Sequence, residues 1–350
     1  MRKLLNQFQS LESLKKIIII VCSVIMAMLV GSLLVIASGA NPMDAYYYMI
    51  LRPMSSVSSL GEVSMYFTPL LLVGVGVSFT LQCKLTNLGG EGQILFGALG
   101  MTLVGVSPLG KSLGIFSLVL GALLGMLMGG LYASIASIFK TMFNASELVV
   151  TLMLNYIATQ LISYIIFYHL RAGAEPQSAK IGTMIPKIFT GSRINYGVII
   201  ALIMVVIYAI VIYKTKFGYN LRVLGGSIKA SRYSGISEKK YYFIAMLISG
   251  AICGLAGMMQ VAGNTGRLMS GVAADFGFGG IVVALLGNLN PIGIVIAAFF
   301  MALISSGAVT MQVKTGIPTS FASVLEALIV LFILLGMAIS VYLDKRKKVK

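Results

Sequence analysis

Of the chain's 350 residues, 58% are apolar and 10% charged, whereas an ordinary globular protein is about 25% charged. A soluble enzyme is thereby excluded, and at about 20 residues per transmembrane helix the apolar content suffices for about ten crossings, with almost nothing left for an extramembrane domain. The 26 Lys and Arg against 10 Asp and Glu give a formal charge of +16; in a soluble chain that raises nucleic acid, but in a membrane chain it first signals orientation.

In chain order, Arg2, Lys3, Lys15 and Lys16 precede an apolar run from Ile17 to Ala37. The run is longer than the roughly 7–15 apolar residues of a signal peptide, so it is expected to stay as the first span. Leu4, Phe8 and Leu11 recur at helical spacing within residues 1–16, which predicts a short helix lying in the membrane interface. Further runs cover Tyr66 to Leu81, Gln93 to Val106, Leu113 to Phe139, Leu148 to Tyr168, Tyr196 to Tyr213, Tyr241 to Val261, Phe278 to Leu289, Ile292 to Val313 and Phe321 to Leu343. The expected fold is an all-α polytopic membrane protein of about ten transmembrane helices, forming a single domain over residues 1–350.

An even number of spans puts both termini on one side. With that side cytoplasmic, 18 of the 26 basic residues lie inside: in the N-terminal tail, at Lys84 and Lys140, in the loop 214–240 and in the tail 344–350. Tryptophan is absent, so the aromatic belt falls to Tyr196, Tyr213, Tyr241, Tyr242 and Tyr342 at span ends. Gly121, Gly125 and Gly129, with Gly250 and Gly254, form ladders that let helix backbones approach closely.

The third and eighth spans are too short for plain crossings. Glycine clusters begin both, Gly89-Gly90-Glu91-Gly92 and Gly277-Phe278-Gly279-Gly280. In a chain of two five-span halves these are equivalent positions, the pattern of inverted repeats whose broken helices line a transport pathway.

Little material for catalysis is present. Cys22, Cys83 and Cys253 are scattered without paired spacing, and His169 is the one histidine; no disulfide framework, metal site, catalytic triad or cofactor is expected. Gly105 to Ser112 matches GxxxxGK[ST] letter for letter, but it lies in a turn between spans without the strand that a phosphate-binding loop needs. ATP hydrolysis is not expected of this chain.

Polar groups inside the apolar segments are the candidates for function. Asn87, Glu91 and Gln93 sit where the third span enters the membrane, and Glu91 either caps that helix or touches substrate. In the fifth span Glu147, Thr151, Asn155 and Thr159 recur every four residues as one stripe, which either bonds neighbouring helices or lines a pathway. In the loop 214–240, Ser227 can cap a short helix through Tyr233 that Gly235 ends; this basic helix suits either anionic lipid or a soluble partner.

The segments Asn87 to Gln93, Glu147 to Ile157, Leu221 to Ile236 and Gly277 to Gly293 together resemble the membrane permease subunits of bacterial ABC importers in the ribose, branched-chain amino acid and nucleoside branch, with NLGGEGQ and TLMLNYIA closest to nucleoside permeases. The resemblance implies a subunit of the bacterial plasma membrane that forms the pathway for nucleosides. Its implied partners are cytoplasmic ATP-binding subunits, a second homologous permease subunit or a second copy, and an extracytoplasmic substrate-binding lipoprotein. It also implies that the 214–240 loop is the coupling helix, with Gly226, Lys229, Ala230, Ser231, Arg232, Tyr233, Ser234, Gly235 and Ile236 meeting the ATPase. The family's usual Gly-x-Asn-x-x-Ala-Ala is here Gly226-Ser227-Ile228-Lys229-Ala230-Ser231, a departure that bears on individual docking contacts. The alternatives are a permease for ribose or another simple sugar, and a secondary transporter in which Glu91 or Glu147 carries a coupling proton.

Overall fold

The computed structural model describes the backbone of residues 2–349, and side chains from residue 18 to 336 except 109, together with 339. Among these residues it is all α, with fourteen α-helices and no β-strand. Seven helices are long and apolar enough to cross a membrane: α1 (Arg2–Ala37), α3 (Val57–Gln82), α6 (Phe116–Phe143), α7 (Glu147–Ile165), α8 (Gly197–Lys214), α11 (Glu238–Met259) and α13 (Pro291–Thr315). Three more apolar helices are shorter: α4 (Gly90–Val106), α12 (Phe276–Leu286) and, within α14 (Ser320–Val349), the segment Ser320–Gly336. Together they account for the ten apolar elements expected. Four more α-helices are small, α2 (Pro42–Tyr46), α5 (Pro108–Ser112), α9 (Lys216–Gly226) and α10 (Ile228–Tyr233), and short π or 3-10 segments extend α2, α7 and α11.

Three boundaries differ from the apolar pattern. α1 runs unbroken from Arg2, so residues 2–16 continue the first span's helix; the side chains of Leu4, Phe8 and Leu11, like that of Tyr342 and those of the basic tail, lie outside the described residues. α3 begins at Val57, ahead of its apolar run, because the Ser56 side chain accepts the Ser59 N–H at 3.1 Å and caps a first turn that Ser58 and Ser59 make polar. The loop 214–240 holds two helices, not one: Thr215 caps α9 by accepting the Gly218 N–H at 3.2 Å.

The chain forms two compact units, residues 1–55 with 303–350, and residues 56–302. In the first, α1 lies along α14, and the Ser23 hydroxyl reaches the Phe332 carbonyl at 3.0 Å. In the second, α4, α6 and α11 cross at glycines. A methyl group on Gly97 would collide with the Gly254 backbone, and one on Gly254 would collide with the Gly125 carbonyl. The glycine ladders are thus where three backbones touch.

Helix pairings within the second unit follow the pattern expected of inverted repeats. α4 packs on α11 as α12 packs on α3, the exchange of partners that swapping five-span halves demands. α6 packs on α11, and correspondingly α13 reaches α3, where the rings of Phe67 and Phe299 meet edge to face at 6.1 Å. Segments expected on one side of the membrane gather at one end of this unit. Lys84, Lys140 and residues 224–239 border one cleft. At the opposite end the loop before α8 folds back, with Ser178 N–H on the Leu268 carbonyl at 2.9 Å and Gly182 N–H on the Gly105 carbonyl at 2.9 Å.

Candidate functional site

The short helices α4 and α12 meet N-terminus to N-terminus. Gly90 packs against Val73, Gly279 against Leu70, and the Phe276 ring lies 6.0 Å from that of Tyr66, so the junction sits at the middle of α3. Only glycine allows it, since a side chain on Gly277 would collide with the Glu91 backbone. α12 has 11 residues, about 16 Å of helix, or half the apolar thickness of a bilayer.

Both helices point the positive ends of their dipoles at this junction, each with unpaired N–H groups. The Glu91 carboxylate answers those of α12: its oxygens accept the Asp275 N–H at 3.1 Å and the Gly277 N–H at 2.9 Å. Glu91 therefore caps the partner half's broken helix, whereas the sequence suggested the helix on which it stands. Asp275 precedes α12 in a left-handed conformation, φ +61°.

Behind Glu91, the chain entering α4 is held by side-chain amides. The Asn87 and Gln93 amides pair reciprocally at 3.0 Å, and Asn87 also donates to the Ser249 hydroxyl at 2.9 Å and accepts the Gly89 N–H at 2.9 Å. Asn87, Gln93 and Ser249 are buried. Ser249 carries no sequence signal; only the packing of α11 brings it here.

The α7 stripe finishes the accounting. Asn155 accepts the Gly92 N–H at 2.9 Å and donates to the Leu88 carbonyl at 2.7 Å, and the Thr151 hydroxyl accepts the Leu88 N–H at 3.3 Å. Non-helical backbone at membrane depth must find such partners within the protein. Asn87, Glu91, Gln93, Thr151 and Asn155 thus form one assembly around the break. Glu147 lies apart from it, paired with Lys140 at 2.8 Å.

Glu147 borders a cleft of about 720 Å³ between the start of the 83–89 segment, the α6–α7 turn and residues 224–239. Lys84, Lys140, Lys229, Arg232 and Lys239 line it against Glu147 and Glu238, so its net charge is positive. Arg232 pairs with Glu238 at 2.7 Å. Ser227 caps α10 by accepting the Ala230 N–H at 3.3 Å, and Gly235 ends that helix at φ +72°, as the sequence suggested. Gly226, Lys229, Ala230, Arg232, Tyr233, Ser234 and Gly235 are exposed, and Tyr233 is 94% exposed. Ser231 and Ile236 turn inward and are buried. The stretch resembling a phosphate-binding loop ends α4 and forms α5, with no strand before it, so the geometry that would cradle a phosphate is lacking.

Residues 59–334 match the family described as branched-chain amino acid transport system / permease component. The guanosine ABC transporter permease protein of Bacillus subtilis is 32% identical over 344 residues, covering 96% of this chain and 98% of that protein. The nucleoside ABC transporter permease protein of Lactococcus lactis is 30% identical over 350 residues, 96% and 95% of the two chains. The glucose ABC transporter permease protein of Haloferax volcanii is 29% identical over 328 residues, 90% and 86% of the two. Such proteins are transport components and not enzymes, and work with an ATP-binding subunit and a substrate-binding partner. A match over most of the chain, on an all-helical fold with ten apolar helices, makes this protein a multi-pass membrane member of the branched-chain amino acid transport permease family of ABC transporters.

Proposed function

We propose that the chain forms the translocation pathway of an ATP-driven importer for nucleosides, in a bacterial plasma membrane with both termini cytoplasmic. The observation that carries this reading is the mid-depth junction of two inverted broken helices, bridged by Glu91. A pathway needs such a place, where backbone leaves the helix inside the membrane and can shift against its counterpart. Asn87, Glu91, Gln93, Thr151 and Asn155 hold that junction beside the pathway, and Glu147 stands at its cytoplasmic mouth. Residues 226–236 take the ATP-binding subunit, and the positive cleft beside them suits an acidic surface on that partner. A lipoprotein delivers substrate from outside, and a second homologous permease subunit completes the pathway.

Nucleosides are the substrate class because two relatives named for them span nearly the whole chain. A sugar is the second reading, supported by the glucose permease at similar identity. Uptake of labelled guanosine, uridine and glucose by a strain lacking this chain separates the two: guanosine and uridine uptake is lost and glucose uptake is kept. Loss of glucose uptake alone would replace nucleoside with sugar. Nucleoside uptake into vesicles driven by a proton gradient, without any ATPase, would overturn the mechanism.

A further inference from the structure

α7 has a buried polar face, and an outward side where polar and apolar side chains, Val149, Met153 and Ile157 among them, alternate. Thr151 and Asn155 are buried against the break, but Tyr156, Gln160 and Tyr164, four residues apart, all stand exposed. Tyr156 is 69% exposed, and neither its hydroxyl nor the Gln160 amide bonds anything else among the described residues. From the start of α7 at Glu147, Tyr156 lies about 14 Å and Gln160 about 20 Å along the axis. Both depths fall inside a hydrocarbon core about 30 Å thick, away from the interface where tyrosines normally collect.

Neighbouring helices show what this chain presents to lipid. Through its middle α6 exposes Val119, Leu120, Leu123, Leu127 and Leu131, and α8 exposes Ile199, Leu202, Ile203, Val206, Ile207 and Ile210. Each of these side chains is aliphatic. An amide placed in the same surroundings would lose its hydrogen bonds altogether. The Gln160 amide therefore faces something other than lipid: water, a polar ligand or the second permease subunit.

We infer that Tyr156, Gln160 and Tyr164 are the substrate-contacting wall of the pathway, fitted to a neutral ligand with an aromatic ring and hydroxyl or amide groups. The tyrosine rings give flat surfaces on which a nucleobase stacks. Gln160 offers a donor and an acceptor together, as a base edge or a ribose hydroxyl requires. Between Glu147 and His169 the helix carries no charged side chain, so nothing on this wall pairs with a phosphate. The choice of a nucleoside rests on the functional reading above; the wall itself rests on exposure and depth.

The test uses the complete transporter in proteoliposomes, with Cys22→Ser removing the exposed thiol while Cys83 and Cys253 stay buried. Single cysteines are placed by Tyr156→Cys, Gln160→Cys and, as a lipid-facing control, Leu127→Cys. A membrane-impermeant methanethiosulfonate modifies positions 156 and 160 but not 127, and guanosine delivered by the binding protein slows that modification. Tyr156→Leu lowers guanosine uptake about tenfold, the scale of one lost stacking surface, and Tyr156→Phe, which restores the ring, lowers it less. Modification at 156 and 160 no faster than at 127 would overturn the inference in favour of lipid. Modification that no solute slows, with cross-linking of 160 to the second permease subunit, would overturn it in favour of a subunit interface. Slowing by glucose and not by guanosine would support the wall and remove the nucleoside reading.

Discussion

Glu91 and Gly277 are 186 positions apart in the chain, yet the carboxylate of one accepts the backbone N–H of the other at 2.9 Å. The acceptor begins the broken helix of the first half and the donor begins that of the second. Any relative movement of α4 and α12 must stretch or break this bond, which couples the two halves where both leave regular structure.

Glu91→Ala leaves the Asp275 and Gly277 N–H groups without acceptors at a half-buried helix end, at a cost of about 1–3 kcal/mol for each unsatisfied donor. The variant unfolds at lower temperature in detergent and transports more slowly. Glu91→Gln keeps one acceptor oxygen and falls between wild type and Ala. Equal midpoints for Gln and Ala, measured by thermal denaturation, would show that hydrogen bonding is not what this side chain supplies.

Asn155 serves one donor and one acceptor of the same backbone segment, so its two functions separate by substitution. Asn155→Asp still accepts the Gly92 N–H but cannot donate to the Leu88 carbonyl while ionised; Asn155→Leu does neither. Stability falls in the order Asn, Asp, Leu, with the Leu variant down by about 2–4 kcal/mol from two orphaned backbone groups. Denaturant titration of the purified complex measures the order, and Asp falling below Leu would contradict it.

At the crossing of α4, α6 and α11, Gly254 has no room for a methyl group, while Gly226 has nothing within 4 Å of the place where a Cβ would stand. Gly254→Ala separates backbones in contact and costs about 1–3 kcal/mol or more as overpacking. Gly226→Ala changes stability by about 0.5 kcal/mol or less. Folded yield by size-exclusion chromatography distinguishes them.

Tyr233 projects from the end of α10 and Ser231 faces inward. A cysteine introduced by Tyr233→Cys cross-links to the ATP-binding subunit when that subunit carries cysteines on its docking surface, and one introduced by Ser231→Cys does not. Cross-linking read on denaturing gels gives the result; the reverse pattern would place the docking surface on another face of the loop.

Hydropathy alone located the ten apolar elements and singled out the third and eighth, because transfer of side chains into hydrocarbon is a local property summed along the chain. The α10 cap and stop were legible for the same reason: Ser227 and Gly235 act on backbone within a few residues of themselves. The four-residue spacing of Glu147, Thr151, Asn155 and Thr159 revealed a shared face but not what it faced. Which N–H a carboxylate answers, and which polar side chains of α7 are buried, depend on how distant helices cross. Those crossings are set by glycine contacts between α4, α6 and α11. That packing gave Glu91 to α12, recruited Ser249 with no signal of its own, parted Glu147 from the rest of its stripe and left Tyr156 and Gln160 open.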